Sequence, residues 1–258
     1  LPAGMIPQQI DFAFQRLRTP GSLPPRHLKL YNSGSFFDPK AIPSEDYPAI
    51  ASRVASFERV IVECHPSLIG PRVAAFDRLL RGEDASSLDS AARLEGALGL
   101  ETAHPEALRS LNKGLTVPGF QRACAVLQEL GVAIRVFLLV HPPFVPKEEQ
   151  RGWLERSLLT ALEAGASVVS LIPLRLGNGA LDELAEVGLA AEPSLSALED
   201  ALDFGVGQQR ARVFADLWDL DRFSTCAACL PARRTRLEEM NRGQRVLPRV
   251  SCSTCQYS

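Results

Sequence analysis

Short, mostly apolar segments with high β propensity alternate along the chain with amphipathic segments of helical periodicity. This order predicts parallel strands that are buried by crossover helices. It therefore restricts the chain to the α/β class. The six predicted strands cover residues 27–32, 59–65, 94–100, 132–140, 167–173 and 212–217.

Helical periodicity is clearest in the segments that separate the predicted strands. Residues 117–130 place Phe120 and Leu127 on one helical face, and Gly131 follows as a typical helix stop. Three further helices are predicted over residues 147–164, 193–207 and 231–243.

Such an order of elements allows either a barrel or an open doubly wound sheet, and the positions of the polar residues help to choose. Clusters of small and polar residues follow the predicted strands at their carboxyl ends, which form the rim where barrels bind ligands. The sequence therefore favours a barrel or partial barrel. The clusters are residues 32–35, 63–66, 101–102, 141–143 and 173–175.

Composition indicates a globular protein. The chain has 258 residues, 46% of them hydrophobic, which suffices for one large α/β domain with a small appendage. A formal net charge of −2 excludes a global basic field for indiscriminate nucleic-acid binding. No apolar segment approaches the roughly 20 residues that span a bilayer, so we expect no membrane contact and a cytoplasmic location. The start at Leu1 indicates that an N-terminal portion is missing.

Four of the six cysteines form two equally spaced pairs, Cys226 with Cys229 and Cys252 with Cys255. Two such pairs can present four thiolates to one metal centre as a tetrahedron. The 22 residues between the pairs slightly exceed the usual zinc-ribbon spacing, so two disulfides or redox dithiols remain alternatives. We predict a closed structural metal site that does no chemistry; zinc is favoured, and an auxiliary iron–sulfur cluster is the alternative.

Small polar residues follow the first predicted strand, and a carboxylate lies near the end of the second. Asn32, Ser33 and Gly34 form a turn whose backbone groups could receive a polar ligand, although an ordinary β-to-α turn has the same composition. Glu63 is a candidate ligand-binding residue because a carboxylate that points into a barrel needs a partner. Cys64 points to the opposite face and is expected in the core.

A second carboxylate, Glu101, follows the third predicted strand, and Lys113 precedes Gly114 shortly afterwards. Lys113 could pair with a substrate carboxylate as a point charge. A lysine followed by a glycine is also typical of an ordinary helix C-terminus. The pattern alone favours this second interpretation.

Taken in order, these segments resemble the radical S-adenosylmethionine superfamily, specifically the branch of the Elongator catalytic subunit and the tRNA methylthiotransferases. Residues 94–102 (LEGALGLET) and 104–116 carry the likeness most clearly. Residues 28–39 resemble the loop that holds the amino group of the cofactor, and residues 170–175 resemble the last barrel strand, under its adenine. The whole chain is most similar to the archaeosine-forming tRNA radical SAM group and its bacterial relatives.

The resemblance implies a partial (β/α)6 TIM-like barrel that lacks its first strand and carries a small C-terminal cysteine-knuckle extension. It implies S-adenosylmethionine and a 4Fe–4S cluster as cofactors, an electron donor protein, and a 5′-deoxyadenosyl radical that acts on tRNA or a modified nucleoside. The family's cluster motif, Cys-x3-Cys-x2-Cys, is not in this sequence. We therefore expect a truncated sequence that is inactive as written, with the barrel at residues 1–190 and the extension at 191–258.

The resemblance also implies contacts to the cofactor, carried over by position. They are Asn32, Ser33 and Gly34 at the amino group, Glu101 at the ribose, Lys113 at the carboxylate, and Ile172 and Pro173 at the adenine. Relatives often have arginine where this chain has Lys113. Glu63 joins these residues as a candidate from its position at a strand end.

Two other functions are compatible with the sequence. A zinc-dependent barrel hydrolase or lyase would need His65 and His141 to converge on a metal with three protein ligands and an open position. A non-catalytic RNA-binding or scaffold protein would use the cysteine pairs and the arginines between them as its working surface. The helix predicted over residues 231–243 carries Arg233, Arg234, Arg236 and Arg242, and a solvated helix face is their simplest interpretation.

Overall fold

The computed structural model of the chain describes residues 2–17, 25–31, 34–82 and 93–255. The strands are β1 (His27–Leu30), β2 (Arg59–Cys64), β3 (Arg93–Glu101), β4 (Ala133–Val140), β5 (Val168–Pro173) and β6 (Arg212–Ala215). The helices are α1 (Met5–Leu17), α2 (Tyr47–Val54), α3 (Pro71–Arg81), α4 (Pro105–Ser110), α5 (Val117–Glu129), α6 (Gln150–Glu163), α7 (Ala180–Glu186), α8 (Leu195–Gly207) and α9 (Leu230–Gly243). Within the described ranges, no helix is both long and apolar enough to cross a membrane.

The six strands form one parallel sheet in which they follow one another in chain order. Val60 of β2 lies opposite Leu28 of β1 and Leu94 of β3. Leu171 of β5 lies opposite Leu138 of β4 and Ala215 of β6. With helices following the strands, this is the predicted α/β class and the sheet of a partial (β/α) barrel.

All six predicted strands are present, with ends that differ by no more than two residues. The predicted helices appear as α5, α6, α8 and α9. One assignment is wrong: β5 is not the last strand of the sheet, because β6 pairs with it from Val168 opposite Arg212 onward.

The chain divides into two compact units. The first comprises Leu1–Gly99 and Gly119–Ile134, and the second comprises Leu100–Pro118 and Arg135–Ser258. The boundary that we predict at residue 190 stays a prediction.

The first unit has an aromatic core beneath the loop that follows β1. The ring of Phe76 lies 4.8 Å from that of Phe36 and 5.4 Å from that of Tyr47, measured between centroids. The N–H of Phe36 donates to the carbonyl of Glu63 at 2.7 Å. This bond ties the loop after β1 to the carboxyl end of β2, where ligand-binding residues are expected.

In the second unit, α8 lies very close to both α6 and β6. A Cβ atom added at Gly205 would stand 2.8 Å from Leu158 Cδ1 and 2.8 Å from Val213 Cγ1, which is closer than real Cβ contacts. Only glycine permits this approach, and it brings the polar face of α8 within reach of α9.

Two side-chain amides of α9 bind the backbone of β6. The Val213 N–H donates to Gln244 Oε1 at 2.7 Å, and Gln244 Nε2 donates to the Val213 carbonyl at 3.0 Å. Asn241 makes the same pair of bonds with Ala215, both at 2.9 Å. Each side-chain amide makes the two hydrogen bonds that the backbone of a neighbouring strand would make. The N–H and C=O groups of Val213 and Ala215 are therefore satisfied.

We predict that Asn241→Asp lowers the free energy of unfolding by about 1–3 kcal/mol. A carboxylate at this position still accepts from the Ala215 N–H but meets the Ala215 carbonyl with a second acceptor. Urea denaturation measures the change. Asn178→Asp is the control, because the exposed Asn178 only accepts, from the Leu181 N–H at 3.0 Å. Equal stabilities of the two variants would contradict the pairing of Asn241 with Ala215.

Candidate functional site

The residue at the end of β3 has an unusual backbone conformation. Glu101 has a φ of 63°, in the left-handed region that residues other than glycine seldom occupy. The Thr102 N–H donates to the Leu100 carbonyl at 2.7 Å, so Glu101 is the centre of a tight three-residue turn. Strained residues of this kind cost about 1–3 kcal/mol each and cluster at functional sites.

A buried serine of α6 fixes the segment after this turn. Ser157 Oγ accepts from the Ala103 N–H at 2.7 Å and donates to a carbonyl of its own helix at 2.5 Å. The His104 N–H donates to Thr102 Oγ1 at 3.1 Å. These bonds hold the segment on the C-terminal side of Glu101 and so stabilise its strained conformation.

The carboxylate of Glu101 forms an ion pair with Lys113. Glu101 is buried, whereas the Lys113 side chain is 47% exposed. The helix-end interpretation does not describe this lysine, because α4 ends at Ser110 and the ammonium group is bound to Glu101. The two residues therefore present a negative and a positive charge together at the carboxyl end of β3.

The strand β4 ends in a similar way. His141 has a φ of 63°. Burial, and to a smaller extent the nearby Lys147, lower the pKa of His141, so its imidazole is neutral at pH 7. Gln150 Nε2 of α6 donates to the carbonyls of Pro142 at 3.1 Å and Val145 at 2.8 Å and thereby fixes the loop that follows.

A cavity of about 60 Å³ lies beside His141, between α6 and α8. Apolar side chains form much of its wall, among them Leu154, Ala201 and Phe204. A water molecule needs about 10–15 Å³ of such space, so the cavity could hold a few water molecules.

One face of the second unit's sheet is only partly covered. Phe137 and Leu139 of β4 and Ile172 of β5 are half-buried there, and Leu139 lies opposite Ile172. Pro173, the next residue, is buried and points to the other face. The structure therefore places one of the two adenine candidates, Ile172, on the accessible face.

The remaining cofactor candidates belong to the first unit. Gly34 is exposed, and Glu63 is half-buried near the carboxyl end of β2. Asn32 and Ser33 lie outside the described residues. Cys64 is buried as predicted, and burial raises the pKa of its thiol.

Sequence reasoning missed a buried carboxylate on β3. Glu95 is 1% exposed, forms an ion pair with Arg59 of β2 at 3.1 Å, and lies opposite Ile61, on the same face as Glu63. An acidic residue inside an otherwise apolar strand was the signal, because such a charge is expensive without a partner.

Four cysteine sulfurs meet at the start of α9. Cys226 Sγ lies 4.0 Å from Cys252 Sγ, and Cys229 Sγ lies 3.8 Å from Cys255 Sγ. All four sulfurs lie within 4.8 Å of one another, and none of the four cysteines forms a disulfide bond, whose S–S length would be ~2.05 Å. Four thiolates at about 2.3 Å from one ion, arranged as a tetrahedron, stand roughly 3.8 Å apart. The group therefore fits a single metal ion.

Backbone N–H groups favour the thiolate form at two of these cysteines. The N–H of Cys255 is the main cause that lowers the pKa of Cys252 to about 6. The N–H of Cys229 lowers the pKa of Cys226, whereas burial raises the pKa of Cys229 itself. Thiolates are the form that binds metal, so part of the ligand set is prepared by the fold.

The hydrolase hypothesis has no such ligand group. Across the part of the chain that the structure describes, the four cysteines are the only set of three or more His, Cys, Asp or Glu residues that could hold a metal ion. His65 Nδ1 instead lies 2.7 Å from Ser67 Oγ and accepts from the Ser67 N–H at 3.3 Å.

Two of the four arginines of α9 are buried. Arg233 is 5% exposed and forms an ion pair with Glu199 of α8 at 2.6 Å. Arg236 is 4% exposed, pairs with Asp203 of α8 at 2.6 Å and donates to the Leu247 carbonyl at 2.8 Å. The interpretation of these two residues as a solvated face is wrong, and they are not accessible to RNA.

No protein-family model matches the chain. Over 160 residues it is 27% identical to an uncharacterised protein of Methanocaldococcus jannaschii, a match that covers 60% of this chain and 41% of that protein. Over 147 residues it is 28% identical to archaeosine synthase subunit beta of Methanosarcina acetivorans, which covers 55% of this chain and 40% of that protein. The chain thus spans about 40% of the length of these curated relatives.

Among solved structures, the archaeal Elp3 of Methanocaldococcus infernus with an N-terminal deletion has a similar fold. The TM-score is 0.61 at 14% sequence identity, and the match covers 81% of this chain and 51% of that one. At this identity the likeness concerns the fold alone. The fold similarity agrees with the Elongator-like resemblance of the sequence, while membership of that branch stays a prediction.

We predict that Glu101→Gly gives a more stable protein than Glu101→Ala, by about 1 kcal/mol or more. Both variants lose the carboxylate, but only glycine relieves the strain at a φ of 63°. The same two substitutions at Glu155, inside α6, provide the control, where glycine is expected to be the less stable by about 1 kcal/mol. Thermal unfolding of the four variants tests this reversal, and the same order at both positions would refute strain at Glu101.

Proposed function

We propose that these residues form part of a radical S-adenosylmethionine enzyme that modifies a nucleoside in tRNA. The observation that carries the proposal is the strained, buried Glu101 with its ion pair to Lys113 at the carboxyl end of β3. In (β/α) barrels this edge of the sheet is where ligands bind. The similarity to archaeosine synthase subunit beta supports tRNA as the substrate class, and the fold similarity to Elp3 supports the barrel framework.

The cation and the hydrogen-bond acceptor at this edge suit S-adenosylmethionine. The methionine part of S-adenosylmethionine carries an amino group and a carboxylate, and Lys113, half exposed, would bind the carboxylate as a point charge. Glu101 would accept hydrogen bonds from the ribose hydroxyls. Ile172, on the accessible face of β5, would lie against the adenine. Glu63 and residues 32–34 are the proposed contacts from the first unit.

The difficult chemistry would come from S-adenosylmethionine and a 4Fe–4S cluster when both are bound. The family's cysteine motif for that cluster is not in this sequence, so the proposal concerns a protein that contains both the motif and these residues. An electron donor protein would be a further partner. The described residues would hold the cofactor in a fixed orientation and keep water from it.

We propose zinc for the four-cysteine site. The thiolates of an iron–sulfur cube bind separate iron atoms, so their sulfurs stand further apart than ligands of one ion. The distances of 3.8 Å and 4.0 Å suit one ion instead. Because all four ligands are protein thiolates, no position is left for a substrate, and the ion would be structural. It would attach the segment around Cys252 to the start of α9.

A non-catalytic RNA-binding or scaffold protein is the second candidate. The exposed Arg242 at the end of α9 favours it. Of the arginines on which this candidate was based, Arg234 is half-buried and Arg242 is exposed. It differs from the first candidate in requiring neither cofactor nor reductant.

The radical hypothesis predicts that a protein containing these residues and the cluster motif forms 5′-deoxyadenosine under anaerobic conditions with S-adenosylmethionine and a reductant. Glu101→Gln should reduce its formation at least about tenfold, since one charge-assisted contact is lost. Chromatography of the nucleoside products gives the rate. Glu106→Gln is the control, since Glu106 is 76% exposed and pairs only with Arg109 at 3.6 Å. Absence of 5′-deoxyadenosine from a cluster-loaded protein would exclude the function.

The metal hypothesis predicts one zinc per chain by elemental analysis and its loss in Cys252→Ser. In the zinc-bound protein, iodoacetamide should label none of the six cysteines. After chelation it should label the four ligands but neither Cys64 nor Cys124, because both are buried and burial raises the pKa of Cys124 to about 12. Four labelled ligands before chelation, or iron in place of zinc, would contradict the assignment.

A further inference from the structure

The arginines after residue 209 fall into two groups. Five are bound to carboxylates: Arg222 to Glu192, Arg233 to Glu199, Arg234 to Asp221, Arg236 to Asp203, and Arg249 to Asp200 and Asp203. The other four, Arg210, Arg212, Arg242 and Arg245, are exposed. Within the described ranges their side chains have no hydrogen bond or ion pair to protein groups. Five arginines of this region are therefore paired with carboxylates, and four have no carboxylate partner among the described residues.

The four unpaired arginines surround one contact between α9 and β6. Gln244 Oε1 accepts from the Val213 N–H at 2.7 Å. Arg242 and Arg245 lie within two residues of Gln244, and Arg210 and Arg212 lie within three residues of Val213. The amide bonds thus bring two separate segments together at the start of β6. We call these four residues the arginine patch.

Within the described residues, no carboxylate forms an ion pair with an arginine of the patch. Glu238 and Glu239, one turn earlier on α9, form no ion pair with Arg242 within the described chain. The Arg212 guanidinium lies over the Phe214 ring, 5.0 Å from its centroid, which orients it without removing its charge. Arg242 gains from the dipole at the end of α9, but the other three arginines do not lie in a helix. The four charges are therefore available to attract an anion from solution.

We propose that the arginine patch binds the phosphate backbone of RNA. A guanidinium group matches the geometry of a phosphate with two parallel hydrogen bonds, and successive phosphates suit several such groups side by side. An acidic protein is less favoured because stable protein interfaces need an apolar centre, and the exposed large apolar residue nearest in sequence is Val246 alone.

This surface is separate from the proposed reaction site. The patch lies at the amino end of β6, whereas Ile172 of the proposed site lies near the carboxyl end of β5, which runs parallel to β6 in the same unit. The inference therefore extends the proposed function by adding an RNA-docking surface, and it is tested without S-adenosylmethionine or reductant. Failure of radical chemistry would leave it intact.

The test is fluorescence anisotropy of labelled unfractionated tRNA, titrated with the full chain at several salt concentrations. Arg242→Gln/Arg245→Gln should weaken binding about tenfold at 0.1 M salt and lower the slope of log K against log salt by about 1.5–2, because two phosphate contacts are lost. The quadruple variant with Arg210→Gln and Arg212→Gln should lower both further. Arg16→Gln/Arg156→Gln is the matched control, because it changes the net charge by the same amount. Both of these arginines are exposed, and each lies over an aromatic ring.

The expected result is that the patch variants lose affinity and salt dependence while the control binds as the unchanged protein does. Circular dichroism and metal content identify any variant that fails to fold, and the double variant alters only exposed side chains. No binding of tRNA by the unchanged chain at low salt, or equal losses in patch and control variants, would overturn the proposal. Binding of a polyglutamate peptide with the same patch dependence and greater affinity would replace RNA by an acidic protein.

Discussion

The backbone of β6 is the constraint on which the C-terminal part of this protein depends. An unpaired strand edge carries N–H and C=O groups that must be bonded or covered. Asn241 and Gln244 bind the N–H and C=O of Ala215 and Val213, so α9 occupies the place of a further strand. Once α9 is held there, its first residues position Cys229, and its last residues bring exposed arginines to the start of β6.

The buried ion pairs between α8 and α9 add specificity to this attachment. Taking Arg233 and Glu199 out of water is costly, and their mutual attraction offsets that cost only with good geometry. The geometry is good, with bonds at 2.6 Å and 3.1 Å between the two side chains. Arg236 and Asp203 repeat the arrangement one turn later. A shift of α9 by one residue would leave both arginines buried without partners, so the pairs fix its register more than they raise its stability.

The sequence predicts the strands and long helices well, because apolar periodicity decides them locally. It does not predict that Arg233 and Arg236 are buried. Both share a helix face with the apolar Leu237 and Met240, which is a signal of burial, but arginines are usually assigned to the solvent-exposed face. The ion pair of Glu101 with Lys113 is even harder to predict from the sequence. The pair depends on a positive φ at Glu101, which a glutamate does not predict. Ser157, which is distant in sequence, helps to maintain this conformation through its bond to the Ala103 N–H.

The proposed division of tasks has a physical consequence for selectivity. Contacts to phosphates supply affinity that is independent of sequence, so the arginine patch can retain an RNA but cannot choose a nucleoside. Choice requires contacts to a base, and the accessible face of the second unit's sheet offers apolar surface for stacking at Phe137, Leu139 and Ile172. On that face Leu139 and Ile172 lie toward the carboxyl ends of β4 and β5, whereas Arg212 of the patch lies at the amino end of β6. Substitutions on it should therefore alter which nucleoside reacts, whereas those in the patch should alter how long any RNA stays bound.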